Sequence, residues 1–208
     1  MPIDAITAFE ALQSPAAERN KEPLREVLQP MLPARGTLLE LASGALQHAL
    51  HIAPEHPGLT LQCSELDERV LALAPAYMSA MGARWPNNVR SPIKLDVAAA
   101  AWGQPAVDVI YTANLLHISP PAVTETLFAQ VSKQLLPNGL LLIYGPFKRN
   151  NRFHSPGDAQ FDASLRARNP LWGIRALETL ESLATTAGLI MQAPVSMPAN
   201  NWLLSFRR

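Results

Sequence analysis

Five short stretches of the sequence hold the side chains best suited to chemistry, and each follows an apolar run. In E-L-A-S-G-A-L-Q-H, Gly44 and its small neighbours let a backbone turn approach a ligand and aim the N–H groups of a following helix at it. S-E-L-D supplies Glu65 and Asp67, and a carboxylate in that position accepts both hydroxyls of a ribose. Asp96, after a third run, is placed to accept from an exocyclic amine. N-L-L-H-I-S brings Asn114 and His117 over the place where a reacting group would lie, and an imidazole titrating near neutrality takes a proton from a hydroxyl or an amine. Tyr144 closes the fifth run, and the polar stretch behind it can cover a pocket.

Each of these residues also has a plainer role. Glu65 is alternatively an acid favoured by a helix dipole, with Asp67 as the N-cap, and Asp96 alternatively caps a turn. His117 alternatively satisfies backbone groups near Ser119-Pro120. His48 and His51 stand three apart on a helix with no third ligand in evidence, so no metal is expected. Cys63, the single cysteine, reads as a small buried hydrophobe.

The elements that must position these residues alternate. Ser14 as N-cap and Pro15 at the first helical position open a helix spanning 14–33, in which Leu24, Val27, Leu28 and Met31 form one buried stripe. A strand over T-L-L-E-L-A, a second from Leu59 to Cys63, a third from Ile93 to Leu95, a fourth from Val107 to Thr112 and a fifth over L-L-L-I-Y follow, the last entered through a P-N-G turn. Helices are expected after the first strand, over Glu68 to Met81 with a kink at Pro75, and from Pro121. Strands so uniformly apolar are buried on both faces, as in a doubly wound parallel sheet whose ligands sit beyond the carboxyl ends of the strands. Residues 146–173 form a basic, turn-rich excursion with a helix around Phe161 to Arg168. Residues 174–208 add a helix and a hairpin of two strands, Ile190 to Val195 and Trp202 to Phe206, around P-A-N-N. The expectation is an α/β chain of one domain, 1–208, with a core at 37–145 and a mostly parallel seven-stranded sheet ending in an antiparallel hairpin.

Composition narrows the functional classes. The 208 residues carry 17 Lys and Arg against 17 Asp and Glu, which lacks the broad positive footprint of a nucleic-acid binder or a polybasic membrane-surface protein. The first ten residues have no basic and apolar leader pattern, and no apolar run reaches the roughly 18 residues of a spanning helix. A lone cysteine fits a reducing compartment, so a cytoplasmic protein is expected.

The order Glu40…Gly44, Glu65, Asp96, N-L-L-H and L-L-P-N-G-L-L-L-I resembles class I S-adenosylmethionine-dependent methyltransferases, which have a Rossmann-like fold. A-A-E-R-N-K-E-P, A-S-G-x-x-Q-H, Y-G-P-F, F-D-A-S-L-R-A-R-N-P-x-W-G-I-R and the terminal M-P-A-N-N make nearly the whole chain similar to the uncharacterised family that includes methyltransferase-like protein 26. The resemblance implies S-adenosylmethionine as cofactor, held by Glu40, Ser43, Gly44, Gln47, Glu65, Asp96 and Asn114. It implies direct methyl transfer to a small-molecule acceptor, with His117 and Asn114 facing that acceptor and no metal. The cluster Lys148, Arg149, Arg152, Arg166, Arg168 and Arg175 reads as a solvated face or, alternatively, as a selector of an anionic acceptor. Arg19, Asn20 and Lys21 would form a lid, and Tyr144, Phe147 and Arg166 an acceptor wall. One departure matters most: Glu40-x-Ala42-x-Gly44-x-Leu46 places Leu46 where the pattern has a glycine. A leucine there would fill part of the cofactor site, which motivates the alternative of a non-catalytic binding or scaffold protein that kept the fold. Nicotinamide chemistry is disfavoured because G-x-G-x-x-G is missing after the first strand.

Overall fold

A computed structural model describes residues 4–208, which divide into two compact units, one ending at Asp96 and the other running Val97–Arg208. The first unit opens on α1 (Ala5–Glu10) and α2 (Pro15–Leu28) and then alternates β1 (Gly36–Leu41), α3 (Gln47–Ile52), β2 (Leu59–Glu65), α4 (Glu68–Met81) and β3 (Val89–Lys94). Its strands lie in the order β3-β2-β1, all parallel, with Gly36 opposite Leu59 and Glu40 opposite Cys63. Ser14 caps α2 through Ala17 N–H with Pro15 in the first turn, and Leu24 and Leu28 bury the expected stripe. α4 spans the expected residues with Pro75 in its interior and Asp67 as N-cap.

Three features of this unit differ from the sequence reading. α2 stops at Leu28, short of the expected residue 33, and Gln29 is its C-cap. The helix α1 had no apolar period to announce it; Asp4 caps it by accepting from Ile6 and Thr7 N–H, and its Phe9 stacks on Tyr77 of α4 at 4.3 Å. β3 begins at Val89, four residues ahead of the expected Ile93, although Arg90 and Ser91 are exposed. Backbone pairing with β2 continues past the point where side-chain burial gives out, and apolar content alone does not show that.

The second unit comprises β4 (Val107–Ala113), α5 (Pro121–Gln134), β5 (Leu135–Lys148), α6 (Pro156–Arg168), β6 (Arg175–Ala176), α7 (Leu177–Thr186), β7 (Ile190–Met191), β8 (Val195–Met197) and β9 (Asn201–Arg207). β4 and β5 run parallel, and β9 lies antiparallel on β5 from Leu140 opposite Arg207 to Pro146 opposite Asn201. β5 does not start after P-N-G but passes through it, with Asn138 at φ +64° and a shift of register against β4 between Val107 and Val109. Nine strands therefore replace the expected seven among the described residues: Ile190 to Val195 breaks into β7 and β8, both on β9, and β6 is a short addition beside β5. Residues 139–147 of β5 are buried without interruption, the mark of a strand covered on both faces. The fold is α/β, with a mostly parallel central sheet and antiparallel C-terminal strands.

Candidate functional site

The turn after β1 is tightly wound. Ala42, Gly44 and Leu46 all have positive φ, at +54°, +54° and +61°, in a region where a side chain costs about 1 kcal/mol or more. Hydrogen bonds to the end of β2 hold the turn: Ser43 N–H donates to the Ser64 carbonyl at 2.9 Å, Ser64 N–H donates to Ser43 Oγ at 3.2 Å, and Ser64 Oγ–H donates to the Glu40 carbonyl at 2.7 Å. Gly44 N–H donates to Glu65 Oε2 at 2.7 Å, while Glu65 Oε1 accepts from Leu66 and Asp67 N–H at 2.7 and 3.1 Å. The structure thus brings Gly44 and Glu65 together; the two donors on Oε1 occupy its lone pairs, and Oε2 keeps one lone-pair direction for a further donor. They border a cleft of about 290 Å³ shared with Ala45, Asp67, Ala11 and Leu12. A Cβ added at Gly44 would project into open space, so a ligand can approach the backbone there. Leu46 does not line this cleft; its side chain is 0% exposed.

Glu40 is 2% exposed, and its Oε2 has no hydrogen-bond partner. Burial pushes its carboxyl up to about 7, with Ser43 and Cys63 pulling less strongly the other way. His48 Nδ1 lies 3.8 Å from Glu40 Oε1, and its Nε2 meets Asn20 Oδ1 at 2.7 Å. Burial holds the His48 imidazole down to about 4, so this contact joins a neutral ring to the carboxyl at neutral pH and is not an ion pair.

Several residues expected at the cofactor or lid carry other contacts. Gln47 Oε1 accepts from Ser14 N–H at 2.7 Å and its Nε2 donates to the Ser14 carbonyl and to Glu18 at 3.2 Å each, so it fastens α2 to α3. Asn20 is engaged with His48, Lys21 pairs with Glu18, and Arg19 is exposed. Asp96 is exposed after β3, where Leu95 N–H donates to the Glu65 carbonyl.

In the second unit, Asn114 follows β4 at φ +60°, a conformation asparagine tolerates, and its N–H donates to the Tyr144 carbonyl at 2.9 Å. Tyr144 and Phe147 are both buried in β5. His117 lies in a single turn of 3-10 helix, Leu116–Ile118, and is 7% exposed. Its ring meets Phe161 edge-on at 5.6 Å between centroids, and a Cβ added at Gly145 would lie 3.5 Å from its Nδ1. Among the described residues its ring nitrogens have no hydrogen-bond partner. Burial, with the Arg175 charge as a smaller contribution, holds His117 down to about 4, below the near-neutral imidazole expected from the sequence, so at neutral pH the ring is uncharged and a weaker proton acceptor than that expectation. Arg166 is not a free cation: its Nε donates to Asp162 Oδ2 at 2.7 Å. Other cations of the excursion stack on rings, Lys148 over Phe153 and Arg168 over Trp172.

Asp162 is the functional-looking residue that the sequence did not reveal. Its spacing of four from Arg166 signals only an exposed helix pair. In the structure it is 6% exposed and also accepts from Ile174 N–H at 2.6 Å. No group of three or more His, Cys, Asp and Glu side chains arranged to hold a metal occurs among the described residues, and no helix there is long and apolar enough to cross a membrane.

Comparison with solved structures shows where this fold recurs. An O-methyltransferase family protein from Burkholderia thailandensis superposes with a TM-score of 0.71 at 19% identity, covering 100% of this chain and 64% of its own. Human N-acetylserotonin methyltransferase, solved in complex with S-adenosylmethionine, gives 0.76 at 15% identity, covering 98% and 55%. CalO1, a methyltransferase of calicheamicin biosynthesis solved with S-adenosylhomocysteine, gives 0.73 at 18%, covering 92% and 53%. The chain spans between 53% and 64% of the length of these three, and the likeness establishes a Rossmann-like fold shared with these methyltransferases. A family profile matches residues 12–208, and the chain belongs to that protein family of unknown function, DUF938.

Proposed function

We propose that the protein is an S-adenosylmethionine-dependent methyltransferase acting on a small molecule. The observation that carries this reading is the glycine turn with Glu65 closed on Gly44 N–H beside an open cleft, in a fold shared with methyltransferases solved with the cofactor or its product. Bound there, the cofactor supplies a methyl group on a sulfonium. The residues present fit it. Glu65 accepts from a ribose hydroxyl through Oε2, and the open face of Gly44 admits the ligand to the backbone; Glu40, buried and outside the cleft lining, keeps an unpartnered Oε2 as a candidate acceptor for the amino group of the methionine portion. Ser43 braces the turn, and Asp96, exposed after β3, contributes to the adenosine side.

His117 takes the proton that the acceptor loses, and Asn114 orients the acceptor. Positioning supplies most of the rate, so removal of the base slows transfer by about 10²-fold and does not abolish it. Phe147 and Tyr144 wall the acceptor site, and the basic excursion favours an anionic acceptor. The finer kinship with methyltransferase-like protein 26 rests on A-A-E-R-N-K-E-P, F-D-A-S-L-R-A-R-N-P and M-P-A-N-N and belongs to the same proposal. The scaffold alternative drew on Leu46, and the burial of that side chain outside the cleft lining supports the enzyme reading instead.

Calorimetry with S-adenosylmethionine and S-adenosylhomocysteine tests the reading. Micromolar binding, weakened at least tenfold in Glu65→Ala, is the expected result; no heat from either ligand at millimolar concentration rejects it.

A further inference from the structure

We propose that Asp162 is a positioning residue that holds His117 in place through the segment Gly173–Arg175. This rests on the reading of His117 as the acceptor base. The buried carboxylate divides its oxygens: Oδ1 accepts from Ile174 N–H at 2.6 Å, and Oδ2 accepts from Arg166 Nε at 2.7 Å. The segment it grips then holds the His117 turn at two points. Gly173 N–H donates to the His117 carbonyl at 3.0 Å, and Arg175 donates through Nη2 to the Ser119 carbonyl. Arg175 Nη1 returns to the Gly173 carbonyl at 3.0 Å, which closes the latch on itself.

Close packing explains why glycine occupies position 173. Its φ of +148° is one that L side chains rarely adopt, and a Cβ there would lie 2.8 Å from Asp162 Oδ1 and 2.5 Å from Arg166 Nη2. Phe161, the neighbour of Asp162 on α6, packs edge-on against the His117 ring, so the helix that carries the carboxylate also sets one wall of the imidazole. The ring itself has no hydrogen-bond partner among the described residues. With no carboxylate on its nitrogens to orient it, the imidazole depends for its placement on backbone contacts and packing, and Asp162 organises both. Arg175 from β6 is the charge that acts on the ring, and the Asp162–Arg166 pair from α6 acts in turn on Arg175.

The test follows the ring resonances of His117, assigned by their loss in His117→Gln, in protein carrying ¹³C-labelled histidine. In the wild type the ring titrates well below the ordinary value. In Asp162→Ala, released from its wall and reached by water, it titrates at least one pH unit higher. In Asp162→Asn the amide oxygen still accepts from Ile174, Arg166 turns to solvent, and the His117 titration returns to within a few tenths of a unit of the wild type. If Asp162→Ala does not fold, Gly173→Ala, which drives a methyl group into the same latch, carries the same expectation. A folded Asp162→Ala or Gly173→Ala whose His117 titrates as in the wild type overturns the positioning role. Full methyl transfer by His117→Gln would instead reject the base reading, and the titration would still decide the latch.

Discussion

Three buried titratable side chains give the protein an unusual acid response. His48 and His117 are held down to about 4 by burial, so between about 6.5 and 4 the unfolded chain binds more protons and each imidazole costs stability as pH falls. Glu40 is pushed up to about 7, so its contribution is complete below the ordinary carboxylate range and is lost as pH rises through 7. Each effect is on the order of 3 kcal/mol, and over that window the carboxyl offsets one of the two imidazoles. Replacing Glu40 with Gln removes the offset. Denaturant unfolding at pH 7 and pH 4.5 is expected to show the variant losing roughly twice as much stability as the wild type on acidification. Equal losses in the two proteins would refute this account of the buried trio. Leu46 poses a different balance. Leu46→Gly relieves about 1 kcal/mol of left-handed strain but empties a fully buried site, for which large-to-small replacements cost about 2–5 kcal/mol. A net loss of about 1–4 kcal/mol with cofactor affinity unchanged is expected from melts and calorimetry; tighter cofactor binding in the variant would revive the scaffold reading.

Elements are joined by single polar side chains at decisive places. Asn88, just ahead of β3, donates through Nδ2 to the carbonyls of Ala53, His56 and Leu59, tying the end of a helical turn and the start of β2 to the next strand. Asn88→Ala leaves those half-buried carbonyls without this donor and is expected to lower stability by about 1–3 kcal/mol, read as a lower denaturation midpoint at unchanged slope. Such links explain what was legible in the sequence. The capped and striped α2, the span of α4 and the apolar strands β1, β2 and β4 announce themselves because local pattern and burial coincide. α1, the start of β3 and the passage of β5 through P-N-G are set by partners remote in sequence: Tyr77 for Phe9, and neighbouring strands for the other two. Among the proposed site residues, Gly44 and Glu65 of the first unit and Asn114 and His117 of the second were visible as residues at strand ends. Asp162 was not, because burial turned an ordinary helix pair into a clamp.

For the molecule as a whole, a zero net charge conceals an uneven distribution. The excursion, residues 146–173, holds five Lys and Arg against two Asp, in a chain with 17 of each sign. If that excursion selects an anionic acceptor, the attraction is screened by salt. Raising ionic strength from about 0.01 to about 1 M shortens the screening length from about 30 to about 3 Å. The KM for such an acceptor is expected to rise severalfold over that range; a salt-independent KM would leave the basic face without a recognition role. The single cysteine offers a direct experimental handle on the same scale. Cys63 lies wholly buried on β2, and burial keeps its thiol protonated and unreactive. Any modification by a thiol reagent must wait for the first unit to open. The labelling rate of the native protein is therefore a clock for the opening of that unit alone, and a cysteine introduced elsewhere on the surface would label at once, beside a silent native thiol.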